Sequence, residues 1–198
     1  MAIDQVHDLQ FAFREILDAM SRPGKLTSLQ TLDGKIDYHL PSFDATLLTI
    51  MTLLDAEVTF HVVSENKHVK GTIAGYTLAT PTTIEDADFV IVLDGTSEAE
   101  MIAAMENCKK GTLLDPHTSA TWIIETAFNK ENQQEIILTG PGIKEKNTMQ
   151  TTLTNTVWQA RNHTIIEYPL GIDVILTDDN LHITCMPRTT KVEMLEVK

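Results

Sequence analysis

Arg188, Thr189, Thr190 and Lys191 stand together just after Pro187, in a stretch that reads YPLGIDVILTDDNLHITCMPRTTKVE from Tyr168 to Glu193. A guanidinium, two hydroxyls and an ammonium on one short segment are donors that can grip an oxyanion, and arginine can do so through two parallel bonds. Asp173 interrupts an otherwise apolar run from Ile172 to Leu176. A carboxylate among core residues needs donors of its own. It either orients the Arg188 cluster, serves as a base, or accepts from a neighbouring loop. Gly140-Pro141-Gly142 follows a predicted strand and offers a tight backbone turn beside such a site. Arg188, Thr189, Thr190, Asp173, Gly140 and Gly142 are therefore the candidate anion site. Spacing alone does not separate that use from a solvated strand end and a structural turn.

Other chemistry finds little support. There is no GxxxxGK[ST] loop, and Gly140-Pro141-Gly142 is not GxGxxG, with Pro141 lacking the amide donor a dinucleotide turn would use. The histidines at 7, 39, 61, 68, 117, 163 and 182 form no HxH, HxxxH or HExxH pattern, so no metal site is predicted. Asp115-Pro116-His117 reads as a turn, because proline holds its neighbours extended. No GxSxG elbow is present. Cys108 and Cys185 lie far apart and read as two buried thiols in a reducing compartment. Cys108 does sit beside Lys109 and Lys110, but the end of an amphipathic helix favours an inert thiol.

These residues must be positioned by an alternation of helices and strands. Leu9, Phe13, Ile16, Leu17 and Met20 recur at helical spacing, which predicts a helix over Asp4 to Met20 stopped by Pro23-Gly24. Lys25 to Leu32 reads as a weak strand. Pro41-Ser42 opens a second helix through Leu54, with Ser42 as cap and Asp44 in the first turn. Val58 to Val63 is a strand, and Glu65 to Gly75 is ambiguous. Phe89 to Leu93 (FVIVL) is apolar on both faces and predicts a strand covered on both sides. Glu98 to Cys108 follows as a helix with Met101, Ile102 and Met105 inward. Thr121 to Thr126 and Glu135 to Thr139 are expected to pair through a polar turn at Asn129 to Gln133. Thr148 to Asn162 is expected to be a helix despite its threonines. Around Asp178-Asp179 the chain turns back into Leu181 to Met186 as an antiparallel hairpin. Buried strands mixed with amphipathic helices predict an α/β three-layer domain with a mixed sheet. No linker divides residues 1–198, so a single domain is expected.

The charge balance restricts partners. Among 198 residues, 42% are hydrophobic and 22% charged, and the formal net charge is -13. Such a chain repels nucleic-acid backbones and anionic membranes unless its cations are concentrated. Its eleven lysines and four arginines are scattered, densest at Lys109-Lys110 and Arg188 to Lys191. No apolar run reaches membrane-spanning length, and Asp4 and Asp8 do not suit an export signal. A cytoplasmic protein without nucleic-acid or membrane partners is expected.

Four segments together resemble the PhnH family, the H subunit of the carbon–phosphorus lyase core complex. PLGIDVILTD with PRTT-x-VE is similar to the family's C-terminal block, and FREILDAMSRPG (Phe13 to Gly24) to its opening helix. GTLLDPHTSATWII (Gly111 to Ile124) and LTGPGI (Leu138 to Ile143) resemble its central block and its Gly-Pro-Gly turn. The resemblance implies a truncated relative of the pyridoxal-phosphate transferase fold without the cofactor site. It implies a homodimer that joins other core subunits of the G, I and J types. With G, I and L partners, the family takes part in displacing adenine from ATP by methylphosphonate, giving α-D-ribose 1-methylphosphonate 5-triphosphate. No cofactor is expected: a Schiff-base lysine must be desolvated, and the lysines here occupy polar loops and element ends. The chain is thus expected to be a subunit that is not catalytic alone. The alternative is a small phosph(on)ate- or nucleotide-binding enzyme with its own activity, built on the Arg188 cluster.

Overall fold

The computed structural model describes residues 3–36, 40–63, 67–128, 134–165 and 167–195. Alternating apolar residues build a central sheet from β1 (Thr27–Ser28), β2 (Thr59–Val62), β3 (Thr80–Pro81), β4 (Phe89–Val92), β5 (Thr121–Glu125), β8 (Asp173–Thr177) and β9 (His182–Met186). These seven strands lie in the order β1-β9-β8-β5-β4-β2-β3. The neighbours from β8 to β3 run parallel, while β9 and β1 are antiparallel additions. The expected mixed sheet is thus present, with FVIVL among its parallel strands.

Side-chain alternation divides the core between the two faces. Ile91, Ile123, Ile175 and Ile183 point to one side, packing on α1 (His7–Ser21), α2 (Asp44–Leu53) and α3 (Lys67–Thr77). Val90, Trp122, Val174 and Leu176 point to the other. There they meet α4 (Glu98–Asn107), α5 (Asn155–His163) and a small antiparallel sheet. That sheet has the order β10-β6-β7, from β6 (Gln134–Thr139), β7 (Asn147–Thr151) and β10 (Lys191–Met194). Each fully buried aliphatic side chain contributes about 1.5–3 kcal/mol relative to exposure. The strand centres therefore hold both outer layers to one sheet.

Several local expectations are corrected. The segment from 121 to 126 does not pair with the segment from 135 to 139. β5 is parallel between β4 and β8, while β6 pairs with β7 and β10. The turn expected at Asn129 to Gln133 lies outside the described residues. The helix expected from Thr148 begins only at Asn155, because Asn147–Thr151 forms β7. Its β-branched threonines suit a strand better than a helix. Lys25 to Leu32 supplies only the two-residue β1, then a short 3-10 turn at Gln30–Leu32. The ambiguous segment is α3 from Lys67 onward.

α1 also packs differently from its pattern. Ala12, Ile16 and Ala19 are buried, whereas Phe13 is 47% and Leu17 57% exposed. Small alanines let the helix approach α2 and β9 closely, so the stripe through them wins over the bulkier one. Asp4 prepares its start, since the carboxylate accepts from the Val6 and His7 amides at 2.9 and 3.0 Å. Ser42 does not cap α2; the residue before that helix is Phe43, whose amide is bound from across the sheet. Both cysteines are buried free thiols, and burial pushes each thiol's pKa up. No described helix is long and apolar enough to cross a membrane.

Candidate functional site

Chain direction creates a crevice at one edge of the sheet. From β2 the chain passes through α3 to β3, on the face that carries α1 and α2. From β4 it passes through α4 to β5, moving the opposite way on the opposite face. Adjacent strands whose outgoing loops diverge in this manner leave an opening beyond their carboxyl ends, where open α/β sheets bind ligands. Such an opening exists here. A cavity of about 420 Å³ lies between Val63 and the loop Leu93–Thr96, with Pro41 and Glu100 at its rim. It adjoins a cavity of about 250 Å³ over Glu98, Glu125, Thr126 and Thr152. A third, of about 460 Å³, extends over His61 and Lys70 and shares Val63 and Glu100 with the first. Together they run across the ends of β2, β4 and β5.

Local structure fixes the crevice walls. α4 starts in a capping box: Ser97 Oγ accepts from the Glu100 amide at 3.3 Å, and Glu100 Oε2 accepts from the Ser97 amide at 3.1 Å. Gly95 (φ 83°) makes the turn ahead of it. Glu125 closes β5 with a buried carboxylate that ties two loops together. Its Oε1 accepts from the Phe43 amide at 2.6 Å and its Oε2 from the Asp94 amide at 2.7 Å. Burial raises the Glu125 pKa, against the pull of these two amides and of Thr46. One bond anchors the start of α2, the other the turn before α4.

Glu125→Ala should loosen both loops, because it takes the acceptor from two amide donors that are only partly shielded from water. A loss of about 1 kcal/mol is expected, since water can reach the freed amides. Faster amide exchange confined to Phe43 and Asp94 should accompany it. The pH dependence has a definite sign. A carboxyl whose pKa rises on folding holds its proton more readily in the folded state. Its contribution to stability is thus complete below the unfolded carboxylate range and falls as pH climbs through the raised value. Denaturation of the parent chain should show this slope, and Glu125→Ala should remove it.

The residues expected to hold an anion lie at the opposite edge of the sheet. Asp173 opens β8 and Arg188 follows β9, so both sit where the parallel strands begin. The structure brings these two residues together. Asp173 Oδ1 accepts from the Arg188 amide at 2.7 Å, and Oδ2 lies 3.1 Å from Arg188 Nη2. Arg188 Nη1 donates to Ser119 Oγ at 2.6 Å and also to the Pro116 carbonyl. Both terminal nitrogens of the guanidinium are therefore engaged by the protein itself. Gly140 packs its backbone on Thr189 and Thr190, whereas Gly142 packs on Ser21 and Pro23. The two glycines of one turn serve different neighbours.

Two residues that matter here escape sequence reasoning. Glu125 carries a faint signal, a carboxylate directly after the core run Trp122 to Ile124. Arg161 carries none, being one charge in a threonine-rich segment. In the fold it is fully buried in α5, with Nη1 donating to the Thr190 carbonyl at 2.6 Å and Nη2 to the Pro187 carbonyl at 2.7 Å. Burial lowers its pKa to about 10, with Asp173 pulling it back up, so it stays charged at neutral pH. Arg161 thus clamps from within the loop that carries Arg188.

A family model described as "Bacterial phosphonate metabolism protein (PhnH)" matches residues 2–193. No curated protein matches the chain.

Proposed function

The chain belongs to the PhnH family of bacterial phosphonate metabolism proteins, and on that premise we propose that it is a subunit of the carbon–phosphorus lyase core complex. In this reading it acts in the cytoplasm, as one domain over residues 1–198. It forms a homodimer in isolation and assembles with core subunits of the G, I and J types. Together with partner subunits it enables formation of α-D-ribose 1-methylphosphonate 5-triphosphate from ATP and methylphosphonate, and it is not catalytic alone. The fold reading that accompanies this is a shortened pyridoxal-phosphate transferase core without the cofactor site.

The observation that carries the reading is the extent of the match, residues 2–193, which spans both sheets and both faces of the core. The test is reconstitution: tagged chain is co-purified with its candidate partners, and product is assayed from ATP and methylphosphonate with and without it. Product only in its presence is the expected result. Equal product without it would overturn the reading, as would turnover by the isolated chain.

The second reading keeps the expected anion site, with Arg188, Thr189, Thr190, Asp173, Gly140 and Gly142 holding a phosph(on)ate or nucleotide for a chemistry of the chain's own. The pairing of Arg188 with Asp173 favours it only through exchange, in which an anion displaces Asp173 from the guanidinium. Arg188→Ala separates the two. If the cluster is a structural clamp, the variant loses about 1–3 kcal/mol of stability and its anion affinity is unchanged. If exchange occurs, binding of phosphate or methylphosphonate weakens at least as much as stability does.

A further inference from the structure

The crevice has one end whose chemistry differs from the rest. Over β2, the cavity of about 460 Å³ is lined by Ile84, Ala103 and Ala104, with Lys70 of α3 and the exposed Glu100 of α4 beside them. His61 also lines it, and its Nδ1 lies 2.9 Å from the Thr82 carbonyl. A carbonyl can only accept, so Nδ1 carries the proton and Nε2 of the neutral ring is left as an acceptor. Glu100 uses Oε2 on the Ser97 amide and hydroxyl. Among the described residues Oε1 has no partner, the Lys70 ammonium has neither a hydrogen bond nor an ion pair, and no ion pair joins Lys70 to Glu100. The cleft therefore keeps a cation on one helix apart from a carboxylate on the other, over small apolar side chains.

That arrangement selects among ligands. A simple anion gains Lys70 but meets the Glu100 charge. A simple amine gains Glu100 and His61 Nε2 but meets Lys70. A molecule carrying both charges answers both walls. From this charge complementarity we propose that the His61–Lys70 end of the crevice binds a small zwitterion, an ammonium and an oxyanion joined by a short alkyl chain. The ammonium lies between Glu100 Oε1 and His61 Nε2, the oxyanion on Lys70, and the methylenes over Ala103 and Ala104. Phosphonate and carboxylate share this oxyanion chemistry. The assignment to an aminoalkylphosphonate rests on the phosphonate-metabolism reading above; the zwitterion itself does not.

Calorimetric titration of the full chain tests it with four probes: 2-aminoethylphosphonate, β-alanine, methylphosphonate and ethylamine. The expected result is binding of 2-aminoethylphosphonate at least about tenfold tighter than methylphosphonate or ethylamine. Lys70→Met, which removes the ammonium from the cleft but keeps most of the side-chain length, should cost about tenfold in that affinity. Ala103→Leu should obstruct the floor and weaken binding while the helix stays folded. No binding of either zwitterion would overturn the proposal, and so would affinity indifferent to Lys70→Met. β-Alanine binding more tightly than 2-aminoethylphosphonate would overturn the phosphonate assignment and leave an amino-acid site. None of these results depends on reconstitution of a complex, so the failure of this site and the failure of the subunit reading are distinguishable.

Discussion

Arg161→Ala is expected to destabilise the chain by about 3–5 kcal/mol, among the largest effects of any single substitution in this fold. Removing the guanidinium strips two carbonyls, Pro187 and Thr190, of the donors that reach them at 2.7 and 2.6 Å. The Pro187 carbonyl keeps the Thr190 amide at 2.8 Å, so the acceptor left unpaired is that of Thr190, which costs about 1–3 kcal/mol, and the vacated volume adds a cavity term of about 2 kcal/mol. One effect opposes these: the variant no longer holds a charge away from water. Arg161→Met measures that opposing effect, since it fills most of the volume without the charge. If the hydrogen bonds dominate, Arg161→Met remains destabilised by more than half as much as Arg161→Ala in a denaturation titration. If desolvation dominates, it approaches the parent. Arg161→Lys should not rescue either variant's loss, because an ammonium cannot span both carbonyls with the planar fork. Amide exchange should quicken at Thr190 and along β10, whose entry the clamp fixes.

Gly140→Ala is the second large effect, expected at about 3 kcal/mol. The residue has φ 133°, a conformation that only glycine adopts readily. A Cβ there would stand 2.7 Å from the Thr189 carbonyl oxygen, a backbone atom that cannot swing aside. The alanine must therefore push the 187–190 loop away from the end of β6 and disturb the register Lys191↔Thr139. Gly34→Ala is the control. It has φ 68° but meets nothing within 4 Å, so only the backbone penalty of about 1 kcal/mol applies. Equal losses for the two variants would show that conformation rather than close approach governs Gly140.

Both substitutions act at the edge where the parallel strands begin, away from the crevice. They should consequently weaken the fold without changing the selectivity of the Lys70 cleft among zwitterion, anion and amine. This expectation follows from the topology alone. The 187–190 loop joins β9 to β10, whereas His61, Lys70 and Glu100 belong to β2, α3 and α4.

What could be read beforehand was the part governed by local periodicity. FVIVL has to be a strand covered on both faces, because its apolar side chains alternate to both sides. The same rule gave TWIIE, DVILT and the hairpin around Asp178, whose carboxylate accepts from the Asn180 and His182 amides. The resemblance of four short segments to one family was legible too, since it needs only residue identity in order along the chain. Pairing was less legible. β5 and β6 are separated by a polar stretch that suggests a hairpin, yet β5 is apolar on both faces and finds its partners across crossovers instead. Periodicity says that a strand is buried; it does not say between which neighbours.

The α/β class, the central strands and the family thus follow from side-chain type and spacing along the chain. Which polar groups meet is set instead by how distant elements pack in the folded chain. Asp173 and Arg188 were visible as candidates, but the burial of Arg161 beneath their loop depends on α5 docking against β10. The crevice depends on α3 and α4 leaving adjacent strands for opposite faces, so it exists at no single position in the chain. Lys70 and Glu100 face one cleft because two crossovers run in opposite directions, and no local pattern in either helix carries that information.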